Sequence, residues 1–151
     1  MYTMPRKMKR KNEDGRMIPA VEFKNCPIRV SLGVLGRKWT LLILRDIAFL
    51  KIDRFNQIRR SLPGLTSRVL IMRLRELEKS ELIEPIILQD KPKIIKWKLT
   101  EKGKDTLPIL MSLISFGAKW YSDIVFEDKR ARKIDELFPY NAKLAQEKFH
   151  F

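Results

Sequence analysis

A change of period between residues 85 and 99 constrains this chain more than anything else in it. Before that stretch, apolar residues recur at the three-to-four spacing of helices. Over Pro85 to Leu99 the spacing drops to two: Ile95, Trp97 and Leu99 alternate with Ile94, Lys96 and Lys98. Helical spacing returns after Thr100. Ile86 to Leu88 is the expected partner strand, with Gln89-Asp90-Lys91-Pro92-Lys93 as the hairpin tip. Two strands alone are marginal in water, so this ribbon has to lean on the helices around it. The fold class is therefore α+β, mainly helical, with a single β-hairpin set inside a helical chain.

The helices can be read in order. Cys26-Pro27 opens a short one to about Leu35, with Pro27 at a first-turn position where its missing N–H costs nothing and Gly36 at the stop. Trp39 to Ala48 is the second, with Trp39, Leu42, Ile43 and Ile47 at core spacing. Asp53 is placed to cap a third, in which Phe55 and Ile58 point inward and Asn56, Gln57, Arg59 and Arg60 stay outside. Ser61-Leu62-Pro63-Gly64 is a tight turn, and Thr66 to Lys79 is the fourth helix. After the hairpin, Leu107, Leu110, Met111, Ile114, Gly117, Trp120, Tyr121 and Ile124 form an apolar stripe along a long C-terminal helix, which Pro108 kinks or restarts. Glu101 favours that segment's start electrostatically. Two short helices joined by a Gly-containing turn and followed by a two-stranded ribbon describe a winged helix-turn-helix. The domain division that follows is a basic N-terminal arm over 1–25, a winged helix-turn-helix with a long C-terminal helix over 26–121, and a helical extension over 122–151. Within the extension, Leu137-Phe138-Pro139-Tyr140 reads as a turn before a short terminal helix.

On a helical wheel, Leu70, Leu74 and Leu77 share one side of the fourth helix, with Thr66 and Arg73 at its edge. Arg68, Met72, Arg75 and Lys79 line the opposite side, flanked by Ser67 and Ile71. A solvated face mixes signs and avoids Met and Ile; a helix in a DNA major groove uses both kinds of residue. Arginine gives two hydrogen bonds to guanine, and an apolar side chain meets the thymine methyl. Thr66, Ser67 and Arg68 sit in the first turn, where such helices reach base edges. Asn56 and Arg59 on the third helix, with Lys91, Lys93 and Lys96 on the hairpin, complete the candidate DNA-binding set. The bland alternatives are a surface helix covered by a neighbour and an edge strand guarded by lysines.

Charge points the same way. The chain of 151 residues carries a formal net charge of +14, a self-repulsion that a polyanionic partner explains. No apolar run approaches the roughly 18 residues that span a bilayer, and the basic arm lacks an apolar face for a membrane surface. A single cysteine, Cys26, forbids an intrachain disulfide and suits a reducing, cytoplasmic interior. His150 is the only histidine and stands next to the end; there is no phosphate loop, metal-ligand cluster or nucleophile motif. No enzyme activity, cofactor or metal is expected.

Several ordered blocks then carry a family resemblance: Cys26-Pro27-Ile28, Leu35-Gly36-Arg37-Lys38-Trp39-Thr40-Leu41-Leu42-Ile43-Leu44, Arg54-Phe55-Asn56-Gln57-Ile58-Arg59-Arg60, Pro63-Gly64-Leu65-Thr66-Ser67-Arg68-Val69-Leu70, Leu74-Arg75-Glu76-Leu77-Glu78 and Leu99-Thr100-Glu101-Lys102-Gly103. Over roughly Cys26 to Tyr121 the chain resembles the HxlR-type winged helix-turn-helix transcriptional regulators, relatives of the MarR group. The resemblance implies a homodimer on pseudo-palindromic double-stranded operator DNA, joined through the first helix and the long C-terminal helix. Here those positions are Ile28, Leu32, Leu110, Ile114, Gly117, Trp120 and Tyr121. It also makes Cys26 a candidate redox sensor, against the plainer reading of an inert interface thiol. An effector ligand is not identifiable from the sequence. A sequence-nonspecific architectural DNA binder is the alternative function, using the same phosphate contacts without base readout.

Overall fold

A computed structural model describes residues 15–139 of the chain. Residues 15–25 are exposed and carry no helix or strand. Helix α1 spans Pro27–Leu35 with Gly36 as its C-cap. Helix α2 begins at Thr40 rather than Trp39: Trp39 is the N-cap, held at φ 78°. It runs to Arg45 and continues as a π-helical turn over Asp46–Leu50. Helix α3 is Phe55–Ser61, and helix α4 is Ser67–Lys79. The hairpin follows as β1, Ile83–Gln89, and β2, Ile94–Leu99. Four helices close the described chain: α5 Glu101–Lys104, α6 Leu107–Trp120, α7 Ser122–Val125 and α8 Ile134–Leu137. Leu137 thus ends a helix instead of opening a turn, and the expected terminal helix beyond it lies outside the described residues.

The core gathers buried residues of α2, α3, α4, β1 and α6 around the turn between α3 and α4. Ile43, Leu44 and Ile47 from α2 and its π turn meet Ile58 of α3, Leu62 and Leu65 of the turn, Leu70, Leu74 and Leu77 of α4, and Leu82, Ile83 and Leu110. Burying each such side chain is worth about 1.5–3 kcal/mol. Three leucines of α4 therefore fix which side of that helix faces out. The wheel placed them on one side, and all three are buried.

The hairpin is antiparallel, with Ile83 opposite Leu99, Pro85 opposite Trp97 and Ile87 opposite Ile95, and a register shift before Gln89. Pro85 is tolerated because β1 is an edge strand. The two-stranded sheet has one further backbone link, to the residues just before α3. Arg54 forms a bridge with Lys96, and the Trp97 amide donates to the Asp53 carbonyl at 2.8 Å. This isolated bridge seats β2 between β1 and the start of α3. It also corrects the role expected of Asp53. Arg54 is the N-cap of α3 with no side-chain cap bond. The Asp53 carboxylate pairs instead with the Lys96 ammonium at 3.3 Å.

The segment after the hairpin breaks where Pro108 demanded it. Pro108 lies in the first turn of α6, and α5 is a separate short helix before it. Thr100 starts α5, as its position suggests: its hydroxyl accepts from the Gly103 amide at 2.9 Å, and Glu101 stands in the first turn. Beyond α7 the chain bends back, and the Arg132 amide donates to the Ala118 carbonyl of α6 at 3.3 Å. Arg132 clasps the Asp128 carboxylate with both terminal nitrogens while its guanidinium lies 4.4 Å from the Phe126 ring centroid.

Candidate nucleic-acid interface

Helix α4 owes its start to Thr66, whose hydroxyl accepts from the Val69 amide at 3.2 Å. That bond uses one acceptor position of the Thr66 hydroxyl, and Thr66 itself is exposed. Arg68, Ile71, Met72, Arg75 and Lys79 are all exposed along the outer side of the helix. Among the described residues, none of Arg68, Arg75 and Lys79 has an acidic partner within ion-pair distance. Ser67 is half-buried, and its hydroxyl accepts from Arg59 Nη1 at 3.0 Å. Asn56 is exposed on the same helix as Arg59. Arg59 is thus brought against the first turn of α4, where it can both orient Ser67 and present remaining donors to a phosphate.

The lysines of the wing separate into two groups. Lys91 and Lys93 at the tip are exposed and without an acidic partner among the described residues. Lys96 is partly buried and held by Asp53, and Lys98 pairs with Glu84 at 2.7 Å. Lys96 is therefore a weaker candidate for a phosphate than the sequence suggested, since contact with DNA would compete with its carboxylate. Sequence spacing could not show this, because Asp53 and Lys96 are more than 40 positions apart.

Two further groups were not singled out in the sequence. Asp46 is a fully buried carboxylate, and Arg45 reaches it with Nε at 2.9 Å and Nη2 at 2.6 Å. The Ser61 hydroxyl donates to its other oxygen. Burying a carboxyl group is costly unless its oxygens are so satisfied. Here the result ties the end of α2 to the end of α3, which frames the turn leading into α4. The second group is the outer row of α6. Ile109, Leu113 and Phe116 are exposed and line up with Trp120, the one member of this row that the stripe included, whereas Leu110 is buried in the core of its own chain and Ile114 and Gly117 are half-buried. The stripe read from the sequence is mainly the inward face of α6. Leu110 is accordingly not available to a second chain, while Trp120 and Tyr121 are. The opposite row was legible at 109, 113, 116 and 120, but periodicity alone does not say which of two apolar faces points inward. Helix α1 has no buried residue at all, and Ile28 and Leu32 stand 71% and 55% exposed.

Two helices joined by a turn, the second with an outward basic face, and a two-stranded wing behind it define a winged helix-turn-helix module. The family model described as HxlR-like helix-turn-helix matches residues 34–125. The uncharacterised HTH-type transcriptional regulator YdeP of Bacillus subtilis is 31% identical over 115 residues, covering 76% of this chain and 88% of YdeP. An uncharacterised HTH-type transcriptional regulator of Methanothermobacter thermautotrophicus is 38% identical over 97 residues, covering 64% of this chain and 73% of its own. Among solved structures, the redox regulator HypR in its oxidised form superimposes with a TM-score of 0.54 at 30% identity, over 61% of this chain and 94% of HypR. The chain belongs to the HxlR-like helix-turn-helix family, a group of DNA-binding transcriptional regulators with relatives in bacteria and archaea. Among the described residues no helix is long and apolar enough to cross a membrane.

Proposed function

We propose that this protein is a homodimeric, sequence-specific transcriptional regulator that reads a pseudo-palindromic operator with α4 in the major groove. The observation that carries the reading is the outer row of α4, where Arg68, Arg75 and Lys79 lack acidic partners among the described residues and alternate with exposed Ile71 and Met72. Cations that serve only solubility are ordinarily interspersed with acids. Arg68 in the first turn addresses a guanine, Ile71 and Met72 meet thymine methyls, and Lys91 and Lys93 of the wing hold phosphates or enter the minor groove. The second copy covers the exposed apolar side chains of α1 and of the outer row of α6, since such rows mark protein–protein contacts. Two-fold symmetry then sets two α4 helices about one DNA turn apart. The reading makes the protein a cytoplasmic DNA-binding protein rather than an enzyme.

The Cys26 thiol is exposed at the N-cap of α1, beside that uncovered surface. Alkylating Cys26 and measuring operator affinity separates a sensor, whose affinity changes, from a bystander, whose affinity does not. The reading of α4 is tested by recovering bound fragments from the source genome and comparing Arg68→Ala with the wild type on the recovered duplex. Loss of about 1–3 kcal/mol on that duplex, with unrelated DNA nearly unaffected, is the expected result. Equal losses on both would favour an architectural DNA binder.

A further inference from the structure

A helix that reads bases must be held in rotation and in translation, because an error of an ångström breaks a bidentate hydrogen bond. Apolar packing of Leu70, Leu74 and Leu77 sets which side of α4 faces in, but leucine contacts are not directional. Polar ties supply direction, and α4 has them at three levels. At its first turn, Arg59 holds Ser67. Past its end, Lys102 Nζ donates to the Ser80 carbonyl at 2.7 Å and the Thr100 hydroxyl donates to the Glu81 carbonyl at 2.5 Å. At mid-helix stands Arg73, whose side chain is only 13% exposed. Its Nε donates to the Lys38 carbonyl at 2.9 Å, and its Nη1 donates to Glu76 Oε2 at 2.9 Å. Glu76 in turn lies 3.9 Å from Arg37 Nε. The guanidinium therefore joins the connection between α1 and α2 to the middle of α4 through two edges of one rigid plane.

Glu76 is otherwise out of place. It is a carboxylate on a helix whose outer face is basic, and a negative charge there weakens attraction to any polyanion. Its two cationic contacts explain what it does instead. From this joint we propose that Arg73 and Glu76 are positioning residues for sequence recognition: they lock the rotation of α4 against the Arg37-Lys38 connection without touching DNA themselves. The proposal rests on α4 being the reading helix.

The two roles open to Glu76 predict opposite signs. If it acts only as a charge, Glu76→Gln raises affinity for every DNA. As a positioning residue, its loss lowers affinity for the specific duplex and not for unrelated DNA. Arg73→Lys keeps the positive charge but cannot reach the carbonyl and the carboxylate as a planar fork. A variant that is merely destabilised loses active protein, which weakens both DNAs equally and leaves their ratio unchanged. The experiment is a fluorescence-anisotropy titration of wild type, Glu76→Gln, Arg73→Lys and Arg68→Ala. It uses a duplex recovered by genomic selection and an unrelated duplex of equal length, at several salt concentrations. The expected result is a specific-to-unrelated ratio lowered roughly three- to tenfold by Glu76→Gln and by Arg73→Lys, the scale of one weakened charge-assisted hydrogen bond, with the salt slope retained. A ratio unchanged in both variants, or higher affinity of Glu76→Gln for both duplexes, would overturn the proposal alone. A wild-type ratio near one, or no effect of Arg68→Ala on it, would overturn the reading of α4 and the proposal with it.

Discussion

Gly103→Ala is expected to destabilise this fold far more than its small change in volume suggests. Gly103 is buried in α5, where the chain leaving the wing passes the end of α4. A Cβ built there would sit 1.9 Å from the Leu82 carbonyl oxygen and 3.3 Å from Leu99 Cβ. The Leu82 carbonyl cannot yield freely, because it accepts the Thr100 amide at 3.1 Å. Overpacking of this kind costs about 1–3 kcal/mol, and losing the Thr100 bond adds about 1 kcal/mol. Together that is about 2–4 kcal/mol from a domain whose total is about 5–15 kcal/mol, equivalent to a fall in Tm of about 4–16 °C for this length. Thermal unfolding followed by circular dichroism measures it, with Gly33→Ala as the control, since a Cβ at Gly33 meets nothing within 4 Å. A Gly103→Ala protein melting within about 2 °C of the wild type would refute the argument that this close approach admits only glycine.

Three further outcomes follow from the geometry. Lys93→Ala should weaken binding to specific and unrelated duplexes alike and lower the salt slope by about 1, whereas Lys96→Ala should change the slope less, because Lys96 is already held by Asp53. Trp120→Glu should shift the protein toward monomer in analytical ultracentrifugation, Trp120 being 65% exposed on the apolar row of α6; Leu110→Ala should instead cost about 2–5 kcal/mol of protomer stability as a buried core truncation. The Asp128 carboxyl is held below the ordinary carboxylate range, chiefly by hydrogen bonds from the Arg132 side chain. A depressed folded-state value gives a contribution that is present above the ordinary carboxylate value and is lost as pH falls through the depressed one. The fold-back onto α6 should therefore be intact at neutral pH and loosen only in acid, and Asp128→Asn should speed exchange of the Arg132 amide at neutral pH.

What could be read from the sequence, and what could not, divides by the range of the interaction. Leu70, Leu74 and Leu77 repeat at helical spacing, so the inward side of α4, and by subtraction its basic outer side, were visible in a dozen consecutive residues. The alternation in 94–99 similarly exposed β2. Contacts between distant segments were not visible. Asp53 reads as a helix cap because capping is a local pattern; its pairing with Lys96 depends on an isolated bridge that joins residue 54 to residue 96. The stripe on α6 was found, but the choice between its two apolar faces is made by the rest of the domain, which claims Leu110 and leaves Leu113 and Phe116 outside. Arg73 was placed correctly at the edge of the packed side, yet nothing near it in sequence announces the Lys38 carbonyl it binds.

The central claim is that α4 reads sequence, and the most direct measurement is affinity for two DNAs as a function of salt. The protein is titrated against its own upstream intergenic DNA, or a duplex recovered by genomic selection, and against an unrelated duplex of equal length. Base readout predicts a preference of about 10³-fold or more that persists at moderate salt, because hydrogen bonds to base edges are added to the shared phosphate term. A ratio near one on the recovered duplex, with equally steep salt dependence on both, would contradict base readout and leave a protein that binds DNA through its charge alone.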